Sequence, residues 1–259
     1  MTTQAQPRLV RRKHGAGHSY KLDGEPIVGV TTVISNSTPK DWMKYWASRL
    51  IAAHAVDHWD DLAALGVAER YDTLARAIND NTAAKRGTQI HDLLMQLAHG
   101  HEPEVPDDLD SHVQSYLRFA DEWRVQDELV EASVVSERPS CRYAGTLDLV
   151  ARLADGQRWL LDFKTGNAIY PETALQLAAY RYAESYLAPD GSLQPMPEID
   201  ACGVVWLRAD GYDLHPFEAG PETFRTFQYA YQVARFTRAT KDDRDVVIGR
   251  ALTSPEVAA

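Results

Sequence analysis

The segment "WLLDFKTG", residues 159–166, closes an apolar run with Asp162, Phe163 and Lys164 before the chain turns at Thr165-Gly166. Residues two apart on a strand share a side, so a carboxylate and an ammonium stand together at the end of an otherwise apolar strand. Two chemistries fit the pair. One is an ion pair at the rim of a sheet. The other is a metal-ligating carboxylate beside a cation that orients a water or offsets charge building on a phosphate.

Asp148, in "GTLDLV", lies fourteen residues earlier between Leu147 and Leu149. A buried carboxylate needs a cation, several N–H donors or a metal. The turn at Asp155-Gly156 makes the two β-prone runs a hairpin and brings Asp148 close to Asp162. Adjacent carboxylates repel, and one pKa rises unless a divalent cation holds both. Carboxylate oxygens of this kind suit Mg²⁺ or Mn²⁺ rather than zinc. Downstream, "QLAAY" sets Gln176 and Tyr180 four apart on one face of a helix. Upstream, "GTQIHDLL" places His91 one position beyond Ile90, at the edge of a helix's apolar face. The plainer readings are a surface Gln beside a half-buried Tyr, and a structural His.

These residues need a scaffold. "HSYKLDGEPIVGVTTVI" reads as a hairpin about Asp23-Gly24. Helix-start chemistry at Ser37, Thr38 and Pro39 opens a first helix, and a second is interrupted near Gly66. A third carries Ile90, Leu93, Leu94 and Leu97 along one face and stops at Gly100; "DLDSHVQSYLRFADEWRVQ" makes a fourth. The period then changes to the strands "LVEASVVSERP", "YAGTLDLVARL" and "RWLLDFKT", followed by a helix, two strands and a last helix. The fold class is α/β: a central mixed β-sheet flanked by helices, with a helical N-terminal elaboration. We expect one domain, with residues 1–16 a flexible basic arm and 17–127 an N-terminal hairpin and helical part. Residues 128–240 form the α/β core and 241–259 a tail.

Composition sets bounds. A chain of 259 residues, 44% hydrophobic, can bury a substantial core. Two cysteines, Cys141 and Cys202, exclude a disulfide framework and a cysteine-based zinc or iron–sulfur site. No apolar run is long enough to span a bilayer and no signal pattern opens the chain, so we expect a cytoplasmic protein without a membrane partner. Neither GxGxxG nor GxxxxGK[ST] occurs. The net charge of −10 leans against a nucleic-acid partner, although the local field of a cleft counts for more than the total. Basic residues cluster at Arg11-Arg12-Lys13 and Lys85-Arg86.

Taken in order, "GTQIH", "GTLD", "DFKTG" and "QLAAY" resemble the motifs of RecB-like nucleases of the PD-(D/E)XK superfamily, a group that includes phage recombination exonucleases of the lambda-exonuclease and RecE types. The "HSYKLDG" opening also resembles phage-encoded members. The resemblance implies a PD-(D/E)XK nuclease-like fold and a DNA exonuclease of phage or bacterial recombination and repair, using one or two Mg²⁺ or Mn²⁺ ions; if phage-encoded, it would work in the host cytoplasm. It makes His91 the helical metal ligand, Asp148 and Asp162 the core carboxylates, and the Phe163 backbone carbonyl a further ligand. Lys164 becomes the catalytic lysine, while Gln176 and Tyr180 contact the DNA backbone or support the active site. On this reading Asp162 binds metal instead of pairing with Lys164. The implied partners are DNA and a single-strand annealing or recombinase protein. Assembly as a ring with a basic inner surface would accommodate the acidic total, with Lys85, Arg86 and the Arg11–Lys13 cluster at its entrance. Glu137, in "VVSERP", reads as an exposed strand acid. The two cysteines cannot supply the iron–sulfur cluster of one family branch. Three alternatives stay open: a structure-specific or single-strand endonuclease, a nuclease fold that holds DNA without cutting, and an unrelated α/β enzyme whose ion pair is structural.

Overall fold

The computed structural model describes residues 8–14, 17–38, 41–79 and 82–249. Strands β1 (Leu9–His14), β2 (Gly17–Leu22) and β3 (Glu25–Ile27) form an antiparallel sheet, with Asp23 and Gly24 at positive φ in the β2–β3 turn. The expected flexible arm is thus a strand over Leu9–His14, anchored by the burial of Leu9 and Leu22; residues 1–7 and 15–16 lie outside the described residues. "VTTVI" continues as helix α1 (Val30–Ser37) rather than as part of the hairpin. Its β-branched residues favour strands, but Val30, Val33 and Ile34 fall at helical spacing and bury together, so packing overrides propensity. Ser37 and Thr38 end α1 instead of starting the next helix: the Ser37 hydroxyl donates to the Val33 carbonyl and that of Thr38 to the Ile34 carbonyl. Pro39 lies outside the described residues.

Helices α2 (Asp41–Asp57), α3 (Trp59–Ala64) and α4 (Val67–Asn79) follow, with the expected interruption at Gly66, then α5 (Thr82–Ala98) and α6 (Asp110–Glu122). Gly100, at φ 75°, ends the run after α5. The β-rich half runs β4 (Gln126–Val130), β5 (Ser133–Ser136), β6 (Tyr143–Thr146), β7 (Leu149–Arg152) and β8 (Arg158–Lys164). After α7 (Thr173–Arg181) come β9 (Ser185–Leu187), β10 (Leu193–Pro195), β11 (Ala201–Arg208), β12 (Gly211–Pro216) and α8 (Pro221–Asp242). The core expected at 128–240 therefore starts two residues earlier and ends two later.

One sheet has the order β12-β11-β8-β7-β4 and the other β10-β9-β5-β6. Among the strands of the described residues only β8 and β11 pair in parallel, so the larger sheet is mixed and the fold is α/β, its sheets flanked by helices. No helix among the described residues is long and apolar enough to cross a membrane.

Two stretches read as continuous strands are each broken. The chain leaves the larger sheet for the smaller at Glu131-Ala132 and returns at Leu147-Asp148. Asp148 therefore sits at a bend between strands, not within one. The crossing is stitched by the Glu131 N–H to the Asp148 carbonyl, 2.8 Å, and the Leu147 N–H to the Ala132 carbonyl, 3.0 Å. Glu131, at φ 49°, supplies the turn that takes the strand out of its sheet. Alternation along β8 sends Trp159, Leu161 and Phe163 to the core with α5 and α6, and Leu160 to the core with α1, α7 and α8. Asp162 and Lys164 share the side of Leu160. That face is where a site can form.

Candidate active site

Three local patterns converge at the mouth of β8. β7 pairs antiparallel with β8 so that Leu149 faces Leu161, and one further step along that register sets Asp148 opposite Asp162. Like charges directly opposite on neighbouring strands are destabilising, so both carboxylates need neutral or cationic partners. On α5, Gly87, Thr88, His91 and Asp92 fall at helical spacing on the face turned from Ile90 and Leu94, and all four line the cleft. Gly87 permits this approach: a Cβ there would stand 3.2 Å from the Thr165 hydroxyl in the loop after β8. The Trp206 indole N–H holds that loop through the Gly166 carbonyl at 2.7 Å.

The partners are specific. His91 Nε2 lies 3.1 Å from Asp148 Oδ1, and the Phe163 backbone N–H donates to Asp148 Oδ2 at 2.9 Å. The Gln176 amide donates to Asp162 Oδ1 at 2.8 Å, so Gln176 is aimed at the carboxylate and not at solvent. Lys164 Nζ stands 2.7 Å from Asp162 Oδ2, off the angle a hydrogen bond needs, so this buried oxygen has a charge contact but no hydrogen bond. The ion pair that the metal reading set aside is therefore present. Tyr180 is buried against Gly145, where a Cβ would come within 2.4 Å of the Tyr180 ring. Tyr180 and Gly145 both line the cleft, so this contact fixes the "GTLD" strand at its wall.

The electrostatics of the two carboxylates diverge. Burial pushes both up. For Asp148 the hydrogen bond and charge of His91, with help from Lys164, reverse this and hold it below the usual range. For Asp162 burial and the charge of Asp148 prevail over Lys164, and its pKa is raised. Burial works against protonated His91 and Lys164, yet the facing carboxylates raise both.

The cleft encloses about 550 Å³. Lys13 of the basic cluster lines the cleft, as do three residues the sequence did not single out: His18 from the N-terminal sheet, Asp92 beside His91, and Glu131 at the strand break. Arg11 bonds Glu131 at 3.1 Å and reaches Thr146 at 3.4 Å, so it braces the wall instead of standing free at an entrance. His18 Nε2 is buried without a hydrogen-bond partner. An acid interrupting the apolar run "LVEASVV" was the signal for Glu131; nothing near His18 in sequence marks it. Arg86 is held by Asp108, and Glu137 sits outside the cleft on Arg8, 2.7 Å away. Cys141 and Cys202 are buried free thiols.

No three His, Cys, Asp or Glu side chains among the described residues form a ready ligand set. The donor chemistry nonetheless fits a hard divalent cation: an imidazole, two carboxylates and a buried carboxylate oxygen lacking a hydrogen bond. If a divalent cation binds here and Gln176 positions Asp162 for it, Gln176→Ala will weaken Mg²⁺ binding by about 10–100-fold, as loss of a group orienting a ligand does. Calorimetric Mg²⁺ titration of variant and parent checks this; equal affinities would remove Gln176 from that role.

No family model and no curated protein matches the chain. One solved structure similar to it is the crystal structure of SSO0001, at 12% identity over 87% of each chain with a TM-score of 0.37. That likeness is too slight to bear on function.

Proposed function

We propose that this chain is a metal-dependent deoxyribonuclease, an exonuclease of the RecB-like kind, hydrolysing phosphodiester bonds in the cleft at the end of β8. The observation that carries this reading is the meeting of Asp148, Asp162, Lys164, His91 and Gln176 at one polar face, from four separate segments of chain. Mg²⁺ or Mn²⁺ held by His91, Asp148, Asp162 and the Phe163 carbonyl would supply Lewis-acid polarisation of a phosphoryl oxygen. Lys164 offers a fixed cation for charge that builds on that phosphoryl group. Gln176 keeps Asp162 from rotating, and His91 does the same for Asp148. Tyr180 and Gly145 set the distance between α7 and β6 on which this arrangement depends.

One observation favours a second reading, a nuclease fold that holds nucleic acid without cutting. The two carboxylates already carry side-chain partners, Asp148 the His91 imidazole and Asp162 the Lys164 ammonium. Digestion of end-labelled linear duplex beside closed circular duplex, both with Mg²⁺, separates the readings. The exonuclease reading expects release of the end label and an intact circle. A cut circle makes the chain an endonuclease; retention of both substrates with measurable binding makes it a binding module.

A further inference from the structure

A second cavity, of about 430 Å³, lies on the other side of α1, between β3, α1 and α8. Val28, Val33 and Ala234 give it an apolar floor, and Arg142, Arg235 and Arg238 stand along its lining. Arg235 and Arg238 lie three apart on α8, one turn of helix, and neither makes a hydrogen bond or ion pair with any described residue. Arg142 likewise makes no hydrogen bond or ion pair with any described residue, and its neighbour Asp23 is already gripped by Arg8 with two bonds of 2.8 and 2.7 Å. Several arginines elsewhere in the chain carry a partner. Arg11, Arg152, Arg158 and Arg208 all sit on carboxylates. Like charges one turn apart repel, and an anion between them would relieve that repulsion.

We propose that this cavity is a binding site for a nucleotide phosphate, separate from the cleft at β8. Guanidinium groups match phosphate oxygens in bidentate geometry, which is why three arginines select phosphate over a simple point charge. The floor asks for more than a bare anion. The Tyr231 ring lies against the apolar cluster at the same lining, and the volume suits a ligand with a flat, largely apolar body. A phosphate carried on a base and sugar has that form, either as a free nucleotide or as one unit of a nucleic-acid strand. The inference stands on this cavity alone and does not rest on the reading of the cleft.

Calorimetric titration of the full chain with inorganic phosphate, deoxyadenosine monophosphate and a ten-nucleotide single strand tests it, in EDTA so that no hydrolysis occurs. Deoxyadenosine monophosphate, the strand or both should bind more tightly than inorganic phosphate. The double variant Arg235→Ala/Arg238→Ala should weaken that binding by about tenfold or more. Which of the two probes binds identifies the source of the phosphate. Both arginines are exposed, so the double variant is expected to fold, and its far-UV circular dichroism checks that; Arg142→Ala gives an independent arm. No binding of either nucleotide probe, or equal binding by the arginine variants, overturns the proposal.

Discussion

Lys164→Met is expected to leave the protein folded and to lower Mg²⁺-dependent DNA cleavage by roughly 10²–10³-fold, the scale on which removing one charge-stabilising group acts. Met keeps the aliphatic stem of lysine and loses only the cation, so packing around β8 changes little. The Lys164 side chain is 34% exposed, whereas that of Asp162 is 4% exposed. Removing the ammonium therefore strands a buried carboxylate, but one whose proton affinity is already raised by burial and by Asp148. Asp162 can take up a proton in response, which limits the stability loss. Activity should fall far more than thermal stability, and measuring kcat beside Tm checks this. A purely structural ion pair would give the opposite ratio. Lys164→Arg should rescue poorly, because a planar fork cannot replace a compact ammonium at 2.7 Å from one carboxylate oxygen.

Gly145→Ala is the change expected to cost most stability. The added Cβ would stand 2.4 Å from Cε1 of Tyr180 and 3.2 Å from Cγ2 of Val30. Tyr180 is itself buried, with Leu177, Ala178 and Ala179 of the same helix also in the core, so it cannot swing away. Overpacking of this kind costs about 3 kcal/mol, which in a domain of this size lowers Tm by roughly 6–12 °C. Tyr180→Ala removes the atom that clashes. In that background Gly145→Ala should lose most of its effect, a coupling that a double-mutant cycle measures. If the two changes were additive, the close approach of β6 to α7 would not be what this glycine serves.

The parts of the site that depend on one element were legible in the chain. Alternation put Asp162 and Lys164 on the same side of β8, and spacing by four put Gln176 and Tyr180 on the same face of α7. The turn at Asp23-Gly24 and the break at Gly66 also follow from local chemistry. What failed needed tertiary information. "VTTVI" has strand propensity but buries three residues at helical spacing, so α1 forms only because a core is there to receive it. The acids Glu131 and Asp148 interrupt the apolar runs, but nothing local marks that the chain changes sheets there. Only after that crossing is known does Glu131, from a run read as a plain strand, become part of the cleft wall. His18 and Lys13 reach the cleft by strand pairing far from it in sequence. The aim of Gln176 likewise became clear only when α7 was seen to dock on β8, with its amide on Asp162.

The most direct measurement is release of end label from linear duplex DNA by the purified chain in Mg²⁺, in Mn²⁺ and in EDTA, with Asp162→Asn run alongside. Asn keeps the shape of the buried side chain and an acceptor for Gln176, while removing the charge. The account predicts release in either metal, none in EDTA, and none from the variant while its melting curve stays cooperative. Label released equally by Asp162→Asn, or no release from the parent in either metal, would contradict it.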